Sequence, residues 1–150
     1  MHPRYTVAAA LSAALLALAV PPHADASAPP NALTIDSVGR LAEGGSILLS
    51  GTYRCGGPAL TGPVMIGSTL VQGGERQSIG GTIGAVCDGR SHRWANVERA
   101  PESGEGTRFG AGAARVEGTL LRLESVSGLP LPQVLVAEER AITLVSEATD

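Results

Sequence analysis

The chain has 150 residues, 11 of them basic against 14 acidic, for a formal net charge of −3. Every basic residue is an arginine and the two signs are interspersed, which leaves no basic patch for nucleic acid or anionic lipid. The length suits one folded domain behind a short leader.

The start, "MHPRY", carries Arg4 and runs into the uncharged "TVAAALSAALLALAV", then the small-residue stretch "PPHADASA". That order describes a secretory signal peptide over residues 1–26, cut after Ala24-Asp25-Ala26. Its apolar part, residues 6–20, is shorter than the ~20 residues that a membrane-spanning helix needs. No cysteine stands at the cut and "ITLVSEATD" is no second apolar span, so a released, extracellular protein without a membrane span is expected. Residues 27–32 read as a loose leader and residues 33–150 as one β-sandwich domain.

Beyond the leader the apolar period is two rather than 3.6. "ALTIDSVGRLA" reads as a first strand, turned by "EGG". In "SILLSGTYRC", Ile47, Leu49, Gly51, Tyr53 and Cys55 fall on one face of a half-buried strand. After the loop "GGPALTGP", "VMIGSTLVQ" places Val64, Ile66 and Leu70 on one side, and "GGER" turns the chain again. "QSIGGTIGAVC" puts Ile79, Gly81, Ile83, Ala85 and Cys87 on one inward face. "DGRS" predicts a hairpin-type loop, because Asp-Gly readily takes positive φ, with "HRWANVE" as the returning strand. "RAPESGEGTRFGAG" is a long loop, and "AARVEGTLLRLES" a strand whose Val116, Leu120 and Leu121 do not alternate cleanly. "SGLPLPQ" predicts a rigid turn and "VLVAEERAITLV" a closing strand, with a helix over residues 137–143 as the alternative. About seven short strands, frequent turns and 20 glycines, about twice the usual share, predict an all-β antiparallel sandwich.

The stretch "AVCDGRSHRW" gathers the residues most suggestive of chemistry: Cys87, Asp88, His92 and Trp94. A reactive Cys87 needs a base and an orienting group, but Cys87 and His92 fall on alternate faces and diverge. A metal site needs three or four ligands, and Cys55, Cys87 and His92 come without a C-x-x-C pair. Two cysteines on core faces of a secreted chain predict a Cys55–Cys87 disulfide instead. His92 is expected to cap the turn or stack on a neighbour, and Trp94 to pack against the bridge. "GEGTRFGAGAAR" lacks the strand–loop–helix setting and the Lys-Ser/Thr pair of a phosphate loop. The acidic residues Glu98, Glu102 and Glu105 lack calcium-loop spacing and read as a solvated rim. Neither a catalytic set nor a cofactor or metal site is predicted.

Three stretches, "SGTYRC", "AVCDGRSHRWANV" and "FGAGAARVEGTLLRL", together resemble small secreted actinobacterial immunoglobulin-like domains of a Streptomyces-type family of unknown function. The pattern is a strand ending in cysteine, then C-D-G-x-x-H-x-W, then F-x-x-G-x-A, which brings in Phe109 as a surface or core anchor beside His92 and Trp94. The all-arginine, Ala- and Gly-rich composition of a GC-rich genome agrees. The resemblance implies an immunoglobulin-like sandwich with a Cys55–Cys87 bridge and brings no activity. It departs from antibody domains in that Trp94 follows the second cysteine.

The expected function is a secreted, non-catalytic binding or interaction module with an extracellular protein or envelope partner. The alternatives are a carrier of a small apolar molecule and a cell-envelope or carbohydrate-associated module. The scarcity of aromatics, Tyr53, Trp94 and Phe109 beyond the leader, weighs against sugar stacking.

Overall fold

The computed structural model describes residues 29–42, 44–57, 62–99 and 108–147. Residues 1–26, expected as a signal peptide, and most of the long loop before Arg108, with Glu102 and Glu105, lie outside the described residues. Among the described residues run eight strands: β1 (Ala32–Ile35), β2 (Val38–Leu41), β3 (Ile47–Arg54), β4 (Val64–Gln72), β5 (Glu75–Ile83), β6 (Ser91–Glu98), β7 (Gly112–Val126) and β8 (Leu129–Ser146).

Two layers form. β3 lies between β1 and β6, antiparallel to both. The other layer follows the order β2-β8-β7-β4-β5, antiparallel throughout except that β2 runs parallel to β8, and β2 also pairs β3 antiparallel, so the two layers are one continuous eight-stranded sheet. The alternation in β3 and β4 is strict: Ile47, Leu49, Tyr53, Val64, Ile66 and Leu70 are buried, and their neighbours face out. They meet Leu33, Ile35, Val116, Leu120, Ile142 and Leu144 between the layers. Each such side chain contributes roughly 1.5–3 kcal/mol by leaving water. This is an all-β fold whose sheet packs on itself as a sandwich, and it is closed by a Cys55–Cys87 disulfide.

Five expectations need correction. The segment expected as one first strand is two, because the chain changes layer at Asp36 and Ser37. Asp36 N–H donates to Ser50 O at 2.8 Å, and Ser37 O accepts from Thr143 N–H at 2.9 Å, the first rung on β8, while Arg40 and Leu41 still pair with Leu48 and Ile47 of β3. "DGRS" does not turn a hairpin: β5 pairs β4, whereas β6 pairs β3 in the opposite layer. The turn in "SGLPLPQ" is only Ser127 and Gly128, both at positive φ as a two-residue hairpin loop requires, and Pro130 and Pro132 already lie in β8. Two positions apart, the prolines turn their missing N–H groups to the same edge, the one away from β7. The alternative helix over residues 137–143 is strand.

The fifth correction is Ile83, expected inside and 76% exposed. Gly67 pairs with Gly81 and Thr69 with Ser78, so Ser68 alone faces Ile79 and Gly80 in a bulge. Gly80 takes φ +45°, and a Cβ there would stand 2.6 Å from Val97 O, so only glycine fits. The extra residue reverses the faces beyond it. Ile79 is buried, Thr82 turns inward, and Ile83 turns out.

Candidate functional site

The stretch from Ala85 onward is a stapled corner. Cys87 is tied to Cys55, Gly89 N–H donates to Cys55 O at 2.9 Å, and Val86 N–H donates to Tyr53 Oη at 3.0 Å. Asp88 Oδ1 accepts from Arg90 N–H at 2.9 Å and from His92 Nε2–H at 2.7 Å. The His92 ring stacks on Tyr53, its partner across β3 and β6, with centroids 5.5 Å apart. The His92 hydrogen bond, followed by the Arg90 N–H, holds the Asp88 carboxyl below its ordinary value. With its sulfurs joined, Cys87 has no nucleophile to offer, and among the described residues no three His, Cys, Asp or Glu side chains could share a metal ion.

Trp94 is buried over Gly51, directly opposite on β3, and its Nε1–H donates to Thr34 O at 2.9 Å. A Cβ at Gly51 would stand 2.0 Å from that carbonyl oxygen and 2.7 Å from the indole nitrogen. Gly51 and Thr34 thus hold the indole, two same-face rungs along β3 from Cys55. Phe109 is also buried, next to a backbone that Gln72 grips by accepting from Gly110 N–H and donating to Gly110 O. The three residues singled out beside the bridge are therefore core or corner, not a cleft.

What sequence reasoning missed lies on the outside of the five-stranded layer. Met65 pairs with Ile83 on β5 and with Leu121 on β7, and Leu121 pairs with Val134 on β8. The four make one apolar row across the sheet, with Ile83 and Val134 the most exposed. The next rung is nearly bare: Gly81, Gly67, Thr119 and Ala137. Beyond β4 the β7–β8 hairpin runs on alone, and its tip exposes Val126, Leu129 and Leu131. On the other side of the bare rung the face turns charged, with an Arg76–Glu117 pair and Arg115 against Glu139 at 3.6 Å. Contiguous exposed apolar area with a charged border is the usual mark of a protein contact surface. The available signal was the Ile83 side of the bulge, which simple alternation hides.

A family model of unknown function, DUF6299, matches residues 29–147. The chain belongs to that family. The match covers all eight strands, and the description of DUF6299 assigns no catalytic activity. No curated protein matches the chain. Among solved structures, murine CRIg aligns at 11% identity over 79% of this chain and 98% of that chain, with a TM-score of 0.35. The Pseudomonas fluorescens DNA glycosylase AlkC, bound to DNA containing an abasic site analog, aligns at 14% identity and a TM-score of 0.36, over 75% of this chain. The DUF6299 chain spans 29% of AlkC's length.

Proposed function

We propose that this DUF6299 chain is a secreted, non-catalytic binding module that engages an extracellular protein through the outer face of its five-stranded layer. The observation that carries the reading is the pair Gly67 and Gly81. Mid-strand glycine weakens a sheet by roughly 0.5–1 kcal/mol relative to alanine. A Cβ at Gly67 would meet nothing within 4 Å, so packing inside the molecule does not call for glycine there. A glycine with open space above it, beside an apolar row, suits the close approach of a partner's backbone. Strand addition at the free β8 segment of the hairpin is opposed by Pro130 and Pro132.

The other readings draw less support. Tyr53, Trp94 and Phe109 are each at most 5% exposed, so none offers a ring to a sugar. The space between the layers is filled by Trp94, Leu49, Ile66 and Leu120, which opposes carriage of an apolar molecule. Secretion is supported by the leader's order of charge, apolar stretch and small residues, and by the disulfide. An actinobacterial source rests on composition and on the resemblance alone.

The test places a photo-crosslinking residue at Met65 and, as a control, at Thr52 on the other layer. Crosslinking to a defined extracellular protein from position 65 alone, abolished by Gly67→Arg in a folded variant, is the expected result. Equal crosslinking from both positions, or indifference to Gly67→Arg, would defeat the assignment.

A further inference from the structure

A second surface, on the far side of the molecule, carries a different chemistry. Where the chain leaves β1 for β2, an open cleft of about 370 Å³ is lined by Arg40, Arg93 and Arg140 with Asp36, Ser37 and Ser50. Three guanidiniums against one carboxylate leave +2 in the lining, or +1 when Glu147, paired with Arg40 at the rim, is counted.

The arginines are not equivalent. Arg93 is committed, with Nη2–H donating to Asp36 Oδ2 at 2.7 Å while Ser50 Oγ–H donates to the same oxygen at 2.7 Å. Arg40 pairs with Glu147 at 2.9 Å, and both are solvent-facing. Arg140 shares a rung with the buried Val116 and so starts from the inner side of β8. Its Nη1–H donates to Ile35 O at 2.6 Å, and among the described residues no carboxylate lies within ion-pair distance of it. One neutral carbonyl fixes the guanidinium without cancelling its charge, and four of its five N–H donors remain for another acceptor.

We propose that this cleft binds a phosphate or sulfate group, free or as the ester of a small alcohol. Guanidiniums arriving from three strands suit the oxygens of a tetrahedral anion; a planar carboxylate is satisfied by a single fork. Arg140, already immobilised through Ile35 O, loses little side-chain freedom on binding. Ser37 and Ser50 add hydroxyls at the wall, and the volume admits the alcohol as well as the anion.

The experiment titrates the full secreted chain with sodium phosphate at constant ionic strength, following arginine Nε–H signals by ¹⁵N-edited NMR. Saturable shifts in the millimolar range at Arg40, Arg93 and Arg140 are expected, with the midpoint raised about tenfold by Arg140→Gln and unmoved by Arg115→Gln, a position that pairs with Glu139 outside the cleft. Because Arg140 also ties Ile35, Arg40→Gln gives an independent reading on a solvent-facing side chain, with a rise of about threefold expected. Parallel titrations with sulfate and with glycerol 1-phosphate separate a bare anion from an ester; tighter binding of the latter assigns the alcohol to the cleft. Shifts that rise linearly without saturating, that acetate reproduces at equal concentration, or whose midpoint is unchanged in both cleft variants would overturn the proposal. Crosslinking at Met65 is unaffected by any of these results, so the two surfaces stand or fall separately.

Discussion

Asn96 Nδ2–H donates to Ser68 Oγ at 3.0 Å, joining β6 of one layer to β4 of the other inside the core. The same amide donates to Ile66 O at 3.2 Å and accepts from Thr82 Oγ–H at 2.8 Å, while Ser68 passes its own proton to Ile79 O at 2.8 Å. The network satisfies the buried amide completely. It depends on the bulge, since only a reversed β5 turns Thr82 inward. Replacing Asn96 by Leu removes the donors to the Ile66 carbonyl and the Ser68 hydroxyl and leaves the Thr82 hydroxyl only its 3.3 Å bond to Ala95 O, each unsatisfied buried group costing ~1–3 kcal/mol. Asn96→Leu is expected to lower stability by about 2–4 kcal/mol in urea unfolding. A loss smaller than a surface control's would mean the amide is not a lock.

The glycines should sort into two classes under alanine substitution. Gly51→Ala drives a methyl against the Thr34 carbonyl and the Trp94 indole, and is expected to cost about 3 kcal/mol or more, with a red-shifted tryptophan emission. Gly67→Ala, with open space around it, is expected to be neutral or to stabilise by ~0.5–1 kcal/mol. Thermal melts of the two variants side by side check both signs.

The disulfide closes a sequence separation of 32 residues. Removing it with Cys55→Ala and Cys87→Ala should cost about 3–4 kcal/mol, chiefly by freeing the unfolded chain. The corner loop is expected to loosen first, seen as faster amide exchange at Val86 and Gly89, whose N–H groups are held by Tyr53 Oη and Cys55 O. Unchanged exchange there would show that the hydrogen bonds alone hold the corner.

Acid should weaken the crossover between layers. The Ser50 hydroxyl, then the Arg93 guanidinium, hold the Asp36 carboxyl below its ordinary 3.8. A carboxyl depressed in the folded state contributes stability that is fully present above the unfolded value and is lost as pH falls through the folded one. Stability is therefore expected to decline below about pH 4, and Asp36→Asn to show a shallower decline. Urea midpoints from pH 7 to pH 2 for both proteins give the comparison; parallel curves would remove Asp36 from the account.

Alternation alone was enough to mark β3 and β4 with their buried faces, and two cysteines on core-facing positions were enough to pair Cys55 with Cys87. Period and cysteine parity are local properties, carried by residues a few positions apart. The partner of each strand is not local. "HRWANVE" looks the same whether it returns beside β5 or crosses to β3, because its inward residues, Trp94 and Asn96, are apolar or amide in either place. The split at Asp36 depends on Ser50, Arg93 and Thr143, which are distant in sequence. One extra residue at Gly80 reversed Thr82 and Ile83, and with them created both the Asn96 network and the outer apolar row. Both candidate surfaces come from neighbouring strands that only pairing brings together, since a rung collects residues by register and a cleft collects charges by where layers meet.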